Sequence, residues 1–508
     1  MDPSTLNRPA ITASITLAVI MQALDTTIAN VALPHIQGSV SASADQINWV
    51  LTSYIVAAAV MTPPSAFLAN TFGRKRVLMV AIAGFVIASV LCGLAQSLTQ
   101  IVLFRLLQGM LGAALVPVAQ SILLDIYTPQ ERGGAMAIFG VSVMVGPVLG
   151  PVIGGWLTDQ FTWRWVFYIN VPIGALAFAG LSAFMTESKP GAGPKFDWLG
   201  FGSLSIAIGA TQMFLDRGAQ LDWFSSVEIL LEAVVAVSAA YVFLVHIFTT
   251  DRPFVNPRLF LDRNFAVGIM LIFIVGVTYF AVLALSTPYL QTLMGYPVVT
   301  AGLTMGPRGL GTMIAMLAVG RLIGKVDTRA LLTTGYLISA WSMYVMTGWT
   351  PQVSQWTVIS TGFVQGVGLG FLFVPLTTVT FATLPAQARN EGTGLYSLSR
   401  NIGSSAGISF VAYLLTRNGQ INHAIIAAHV TATNHAFDNP VVRQAWNPWT
   451  AQGRAALDQV IQQQAAVISY INDFKLMMIM TLIAVPLVFL LRSPRSQAPS
   501  SDHAVAME

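Results

Sequence analysis

Residues 146–155 read Gly146-Pro147-Val148-Leu149-Gly150-Pro151-Val152-Ile153-Gly154-Gly155, inside an apolar run from 135 to 157. Glycines at intervals of four fall on one face of a helix, where the missing side chains let another backbone approach closely. Pro147 and Pro151 remove ladder donors and bend that helix. The stretch predicts a kinked helix with a tight seam, able to keep two parts of a bundle sealed against each other.

Outward from that helix the whole chain has the same character. Of 508 residues, 55% are hydrophobic and only 9% charged, where a soluble domain carries about a quarter charged residues. With a mean hydropathy of +0.69, the chain has lipid as its main solvent. A pI near 9.2 is compatible with nucleic-acid binding, but Lys and Arg are dispersed between apolar runs rather than gathered in one polar patch, which argues against that class. The single cysteine, Cys92, lies in an apolar run, so neither an intrachain disulfide nor a cysteine-based metal site is expected. The first apolar segment is longer than a signal-peptide core, carries Asp25 and has no small-residue cleavage pattern after it; it reads as a retained first span.

Apolar runs of about 20 residues cross a bilayer as helices, because only helices or closed barrels satisfy every backbone hydrogen bond in hydrocarbon. The strand-like alternation of a barrel is absent. Spans are expected near residues 11–33, 47–69, 77–96, 101–124, 135–157, 165–185, 199–215, 228–248, 265–289, 300–322, 330–349, 356–383, 391–416 and 474–491. That makes an all-α polytopic membrane protein with 14 spans. Alternate connections carry Arg8; Arg74, Lys75 and Arg76; Arg132; Lys189 and Lys195; Arg252, Arg258 and Arg263; Arg321, Lys325 and Arg329; Arg389; Arg492 and Arg495. The opposite face holds Arg164, Arg217, Arg417, Arg443, Arg454 and Lys475, of which only the first two are in short loops. The asymmetry predicts both termini on the cytoplasmic side.

Two stretches repeat one another. Gln108-Gly109-Met110-Leu111-Gly112 leads to Pro117, and Gln365-Gly366-Val367-Gly368-Leu369-Gly370 leads to Pro375; each then reaches a short loop, with Pro129 and Arg132 or with Pro385 and Arg389. Two six-helix halves follow, 1–185 and 251–492, with two additional transmembrane helices and a turn-rich linker, Lys189-Pro190-Gly191-Ala192-Gly193-Pro194-Lys195, in 186–250, and a cytoplasmic tail at 493–508. The long outer segment 417–473 is polar. Within it Leu457, Val460, Ile461, Ile468 and Ile471 recur at helical spacing, which fits a surface-lying helix or a docking face for a partner protein. His423, His429 and His435 stand six apart, a spacing that suits no helical metal pair, so they read as solvated loop residues.

Ionisable groups inside spans cost about 2.5 to 3.5 kcal/mol each on insertion scales and are functional candidates by default. Here they are Asp25, Arg105, Glu232, Arg308 and Arg400. A carboxylate sheltered from water can bind a proton from one side and surrender it when a cation approaches or water enters. Gln22 lies three residues before Asp25 on the same helix face. Glu232 and Arg308 either pair with each other or reach the interface along their stems, or else Arg308 attracts anionic substrates. Gln22, Asn30, Gln108, Arg308 and Gln365 are the candidate substrate-binding residues. His246-Ile247-Phe248-Thr249-Thr250-Asp251 spells a His-x-x-x-x-Asp pattern used for general-base catalysis, but it straddles the end of a span with no soluble domain to hold an acceptor.

Together these motifs resemble the major facilitator superfamily over nearly the whole chain. Leu68-Ala69-Asn70-Thr71-Phe72-Gly73-Arg74-Lys75-Arg76 resembles its loop signature, with Asn70 where the family usually has an acid and Ala66 where it has glycine; the basic triplet serves either orientation or gating. Gly146 to Gly155 resembles its antiporter signature, and Phe104-Arg105-Leu106-Leu107-Gln108-Gly109 its fourth-span motif. Leu24-Asp25-Thr26-Thr27-Ile28-Ala29-Asn30-Val31-Ala32-Leu33-Pro34 resembles the first span of the fourteen-span drug:proton antiporters, the DHA2 family. Trp163-Arg164-Trp165-Val166-Phe167-Tyr168-Ile169-Asn170-Val171-Pro172, Asp216-Arg217-Gly218-Ala219-Gln220-Leu221-Asp222-Trp223-Phe224 and Tyr289-Leu290-Gln291 narrow the likeness to EmrB-type multidrug efflux pumps. The resemblance implies a major facilitator fold and a secondary active transporter rather than an enzyme. It implies export of hydrophobic or amphipathic compounds across the inner membrane, driven by a proton gradient with no cofactor. Asp25, Arg105 and Arg400 would then be proton-coupling residues, and an EmrA-type periplasmic adaptor and a TolC-type outer-membrane channel would be partners. The alternatives are an importer or symporter of the same fold, opposed by the doubled Gly-Pro pattern, and an exporter of one specific metabolite such as a fatty acid or organic anion.

Overall fold

The computed structural model describes residues 7–492 apart from 48, 129, 188–195, 219–220, 252, 386–387 and 432–433. The expected linker Lys189–Lys195, the tail 493–508, Pro129 and Arg252 lie outside the described residues. In chain order the helices are α1 (Arg8–Val40), α2 (Ala44–Ile47), α3 (Trp49–Met61), α4 (Pro64–Phe72), α5 (Arg74–Leu94), α6 (Leu98–Gly112), α7 (Leu115–Ile126), α8 (Arg132–Gln160), α9 (Trp165–Tyr168) and α10 (Asn170–Phe184). They continue with α11 (Trp198–Arg217), α12 (Val227–Thr249), α13 (Arg263–Pro288), α14 (Val298–Leu322), α15 (Thr328–Met346), α16 (Gln355–Thr380), α17 (Arg389–His429), α18 (Pro440–Ala445) and α19 (Ala451–Val488). Ten of these are long and apolar enough to cross a bilayer, eleven if α3 and α4, bent by 54°, count as one span. Local chemistry starts many of them: Ser97, Asp262, Ser354 and Thr450 each accept the amide N–H three residues on. Between α4 and α5 the backbone turns at Gly73 with φ +91°, a conformation that a side chain would strain.

The repeat seen in the sequence has a packing counterpart. Gly109 of α6 lies against the Tyr54 carbonyl of α3, and Gly366 of α16 lies against the Arg308 carbonyl of α14. Gly146 and Gly150 of α8 meet Ala23 and Thr27 of α1, while Gly403 and Gly407 of α17 meet the carbonyls of Phe273 and Val277 of α13. In both halves a helix of small residues thus closes on its neighbour with backbone in contact, the packing that lipid-embedded bundles use in place of a hydrophobic drive. The glycine face of α8 therefore seals α8 to α1 within one half. Contact with the other half is made along α8, by Val148 filling the space over Gly309 of α14, by Gly140 against Met316 and by Gly133 against Ile323.

The inserted helices have different environments. α11 bridges the halves: Asp216 accepts from Thr52 of α3, and Gln212 Nε2 donates to Ser405 Oγ of α17 at 2.6 Å. α12 packs on α11 and turns Val234, Val237, Tyr241 and Phe248 outward. Such a continuous apolar surface needs hydrocarbon against it. Glu232 pairs with Arg217 at 3.6 Å, so the alternative in which it pairs with Arg308 is set aside; the partner is the last residue of α11, next door in space.

The segment 417–473 is not a surface-lying loop. α17 and α19 run on as 41- and 38-residue helices, about 62 and 57 Å long, roughly twice the hydrocarbon thickness. They stay paired beyond the span, with His423 to Asp458 at 2.7 Å and Asn422 to Ser469 at 3.1 Å. Of the amphipathic set read from Leu457 to Ile471 only Ile461 is buried, with Leu457 and Ile471 half-buried and Val460 and Ile468 exposed; Ala465 and Ser469 complete the buried face.

His246 does not work with Asp251. Its Nε2 lies 2.9 Å from Asp197, which also caps α11 through Gly200 and accepts from Phe254 N–H at 3.0 Å. Burial alone would raise the Asp197 carboxyl, but the Gly200 amide, His246 and the Phe254 amide outweigh it and hold the group below its ordinary value. Its contribution to stability is therefore complete above the unfolded value of about 3.9 and is lost as pH falls through the lower folded value. Asp197→Ala should cost about 1 kcal/mol of stability by thermal unfolding in detergent at neutral pH, and His246→Ala should leave transport intact. Loss of transport by a normally folded His246→Ala protein would revive a catalytic role.

Candidate functional site

A buried polar cluster lies inside the first half. Asp25 of α1 is 1% exposed. Arg105 Nη1 of α6 donates to its Oδ2 at 2.6 Å, and Gln108 Nε2 and Asn170 Nδ2 both donate to its Oδ1 at 2.8 Å. Three donors from α6 and α10 thus converge on two carboxylate oxygens, and the Arg–Asp pair is wholly removed from water. Arg105 is itself held by the Val50 carbonyl at 3.2 Å, by Gln108 Oε1 at 2.8 Å and by the Tyr54 ring, whose centroid is 4.2 Å from Cζ. Asn170 also donates to Ser89 Oγ, which donates to the Phe167 carbonyl. Such a pair survives burial because hydrogen bonds engage most of the polar atoms around it, Asn170 Oδ1 and the Tyr54 hydroxyl being without a partner among the described residues.

The other expected residues are spread out. Gln22 is half-buried with its carbonyl oxygen unpartnered, and Asn30 is exposed and donates to the Thr26 carbonyl of its own helix. Arg308 and Gln365 are buried in the second half, on the packed pair α14 and α16. Arg400 lies near Tyr396 and is paired with no carboxylate among the described residues. Of the Gly-Pro stretch, Gly146, Gly150 and Gly154 line α1, whereas Gly155 faces open space.

A second polar cluster joins the halves at the end of the bundle that holds Arg8. Asp125, at the close of α7, accepts from Arg74 in its own half and from Arg389 of α17 in the other. Asn390 donates to Asn70 and accepts from Ser121. Lys75 donates to the Ser182 carbonyl at 2.9 Å, and Arg76 lies 3.6 Å from Glu187. Asn70, Gly73 and the basic triplet therefore form one end-piece in which only Arg74 and Asn70 engage the latch between halves.

The profile of the Major Facilitator Superfamily matches residues 15–408. The chain belongs to the major facilitator superfamily. Among curated members, it is 36% identical over 494 residues to the fatty acid resistance protein FarB of Neisseria gonorrhoeae, covering 95% of this chain and 96% of that one. It is 36% identical over 429 residues to the multidrug export protein EmrB of Escherichia coli strain K12, covering 83% of each. The crystal structure of the human organic anion transporter MFSD10 (TETRAN) has the same fold, with a TM-score of 0.61 at 14% identity, covering 95% of this chain and 99% of that one. The protein is a multi-pass membrane transporter of EmrB type, and the likeness to EmrB-type pumps read from Asp25 to Pro34 and from Trp163 to Pro172 agrees with these relatives.

Three residues of this major facilitator chain escaped the sequence reading. Asn170 stands in a stretch quoted for its resemblance, yet nothing in the spacing tied it to Asp25, 145 residues away. Asp125 looked like an ordinary acid at the end of a span. Asp473 was placed one residue outside the last span, but α19 continues through it, leaving it 1% exposed with both carboxylate oxygens unpartnered among the described residues. A longer helix window over 451–488 would have found it.

Proposed function

We propose that this transporter is a proton-driven antiporter that exports hydrophobic or amphipathic drugs and toxic compounds by alternating access. It would sit in a bacterial inner membrane with fourteen spans and both termini in the cytoplasm. The observation that carries the reading is the Asp25–Arg105 pair, 2.6 Å long and fully buried. Protonating Asp25 removes the anion from a buried pair, and losing one partner of such a pair costs about 3 to 5 kcal/mol. A conformer in which this pair is broken would bind the proton more tightly than the one with the pair intact, and such a difference in affinity is the condition for driving a conformational change. Gln108 and Asn170 turn the change in charge into a change in helix contacts, since both donate to Asp25 Oδ1 from different helices.

The substrate class follows the relatives: EmrB is a multidrug export protein and FarB a fatty acid resistance protein. An EmrA-type adaptor and a TolC-type channel fit the same reading. The paired extension of α17 and α19, far longer than a span, offers the docking face they need. In everted vesicles with an imposed proton gradient, adding a lipophilic drug should collapse the gradient at a rate set by the amount of transporter. Drug movement that leaves the gradient unchanged would rule out antiport.

A further inference from the structure

The two halves hold comparable polar clusters with one member missing. Register can be followed through the backbone contacts. Gly109 meets the Tyr54 carbonyl and Gly366 the Arg308 carbonyl, so Gln108 corresponds to Gln365, Tyr54 to Arg308 and Arg105 to Gly362. In the second half the guanidinium thus comes from α14 instead of from the helix that carries the glutamine. Gly362 leaves room for it, since a Cβ there would stand 3.8 Å from Arg308 Cβ.

The first cluster is closed on itself, with its guanidinium, glutamine amide and carboxylate all engaged. The second has a guanidinium and a glutamine, and among the described residues no carboxylate pairs with that guanidinium. Arg308 is 2% exposed and Gln365 0%. Among the described residues Arg308 donates only to Ser286 Oγ, at 3.3 Å, while its Nε and Nη1 and both polar atoms of Gln365 have no partner. A buried cation without a counter-ion is far costlier than a paired one, and an arginine fork matches a carboxylate in two-point geometry. Arg308 also adjoins Gly309, which meets Val148 of the opposite half. The cluster therefore borders the seam that alternating access opens.

We infer that Arg308, with Gln365, is a binding site for the carboxylate head group of an amphipathic substrate, which supplies the missing anion. The inference rests on the export reading for what happens to the bound compound, but the site is tested by binding alone.

The purified full-length transporter in nanodiscs of zwitterionic lipid is titrated with dodecanoate, dodecanol and dodecyltrimethylammonium, in a buffer of low ionic strength free of chloride and of soluble carboxylates. Dodecanoate should bind at least about tenfold tighter than dodecanol, as expected for one charge-assisted hydrogen-bonded contact. Arg308→Gln should abolish that preference and leave dodecanol binding unchanged. Ser286→Asp, which places an internal carboxylate where Ser286 Oγ now meets the guanidinium at 3.3 Å, should also abolish it while raising thermal stability. If Arg308→Gln does not fold, the Ser286→Asp result decides. Equal affinity for dodecanoate and dodecanol in the unmodified protein, or a preference that survives Ser286→Asp, overturns the site. A preference displaced by millimolar chloride or by soluble acetate alone shows that a small anion, not an amphiphile, fills it, and overturns the substrate assignment. Because no gradient is present, absence of the preference overturns the site even where drug export proceeds, and its presence upholds the site even where export fails.

Discussion

Asp25→Asn is expected to reduce proton-coupled drug export to the vesicle background while the protein still inserts. Asparagine keeps the size of the side chain and can still accept from Arg105, but it cannot carry the exchangeable proton. It also leaves Arg105 as a buried cation facing a neutral amide, at a cost of about 3 kcal/mol or more. The Val50 carbonyl and the Tyr54 ring still hold the guanidinium, so the expected outcome is a folded protein with a lowered midpoint. A paired variant, Asp25→Asn with Arg105→Gln, removes the cation as well; it should recover much of the lost stability and none of the coupling. Thermal unfolding in detergent reads the first quantity, and drug-dependent collapse of the proton gradient reads the second. Retained coupling in Asp25→Asn at an equal folded level would rule out Asp25 as the proton carrier.

Much of this fold could be read before any coordinates were consulted, because lipid imposes a simple rule: spans must be apolar helices, and ionisable groups within them must earn their place through partners. Composition gave the solvent, run length gave the helices, and the rarity of in-span charge singled out both Asp25 and Arg105. What could not be read is how helix faces are aimed. The glycines of α8 looked like a seam between halves, yet they meet α1, and Val148 between them reaches α14. Helical spacing gives a face and leaves its neighbour open. Span ends were equally hard, since polar residues on α17 and α19 pair with each other beyond the bilayer and mimic a loop; the displaced boundary hid Asp473. The partner of Glu232 was missed for a related reason: Arg217 reads as a loop residue in sequence but closes α11 and lies beside α12 in space.

At the Arg8 end, Asp125→Ala is expected to loosen the contact between halves and shift the transporter toward conformers open on that side. Asp125 accepts at once from Arg74 and Arg389, one from each half, so a single carboxylate neutralises two cations that would otherwise repel. These side chains retain 13 to 22% of their exposure, and water screens the pairs. The expected loss is therefore about 1 to 2 kcal/mol, between the values for surface and buried bridges, or roughly a tenfold change in conformer ratio. Spin labels on cysteines replacing Gln130 and Lys325, both exposed, should report it; buried Cys92 stays unlabelled. The unmodified protein should give a dominant short separation, Asp125→Ala a second longer one, and Asp125→Glu largely the original. An unchanged distribution in Asp125→Ala would mean that the seam between α8 and α14, with Val148 over Gly309 and Gly133 against Ile323, closes this end without help from charge. The latch would then serve only to orient the loop. A shift would place a charge-based brake on the same motion that protonation of Asp25 is proposed to drive, so the two variants combined should show whether brake and drive act on one equilibrium.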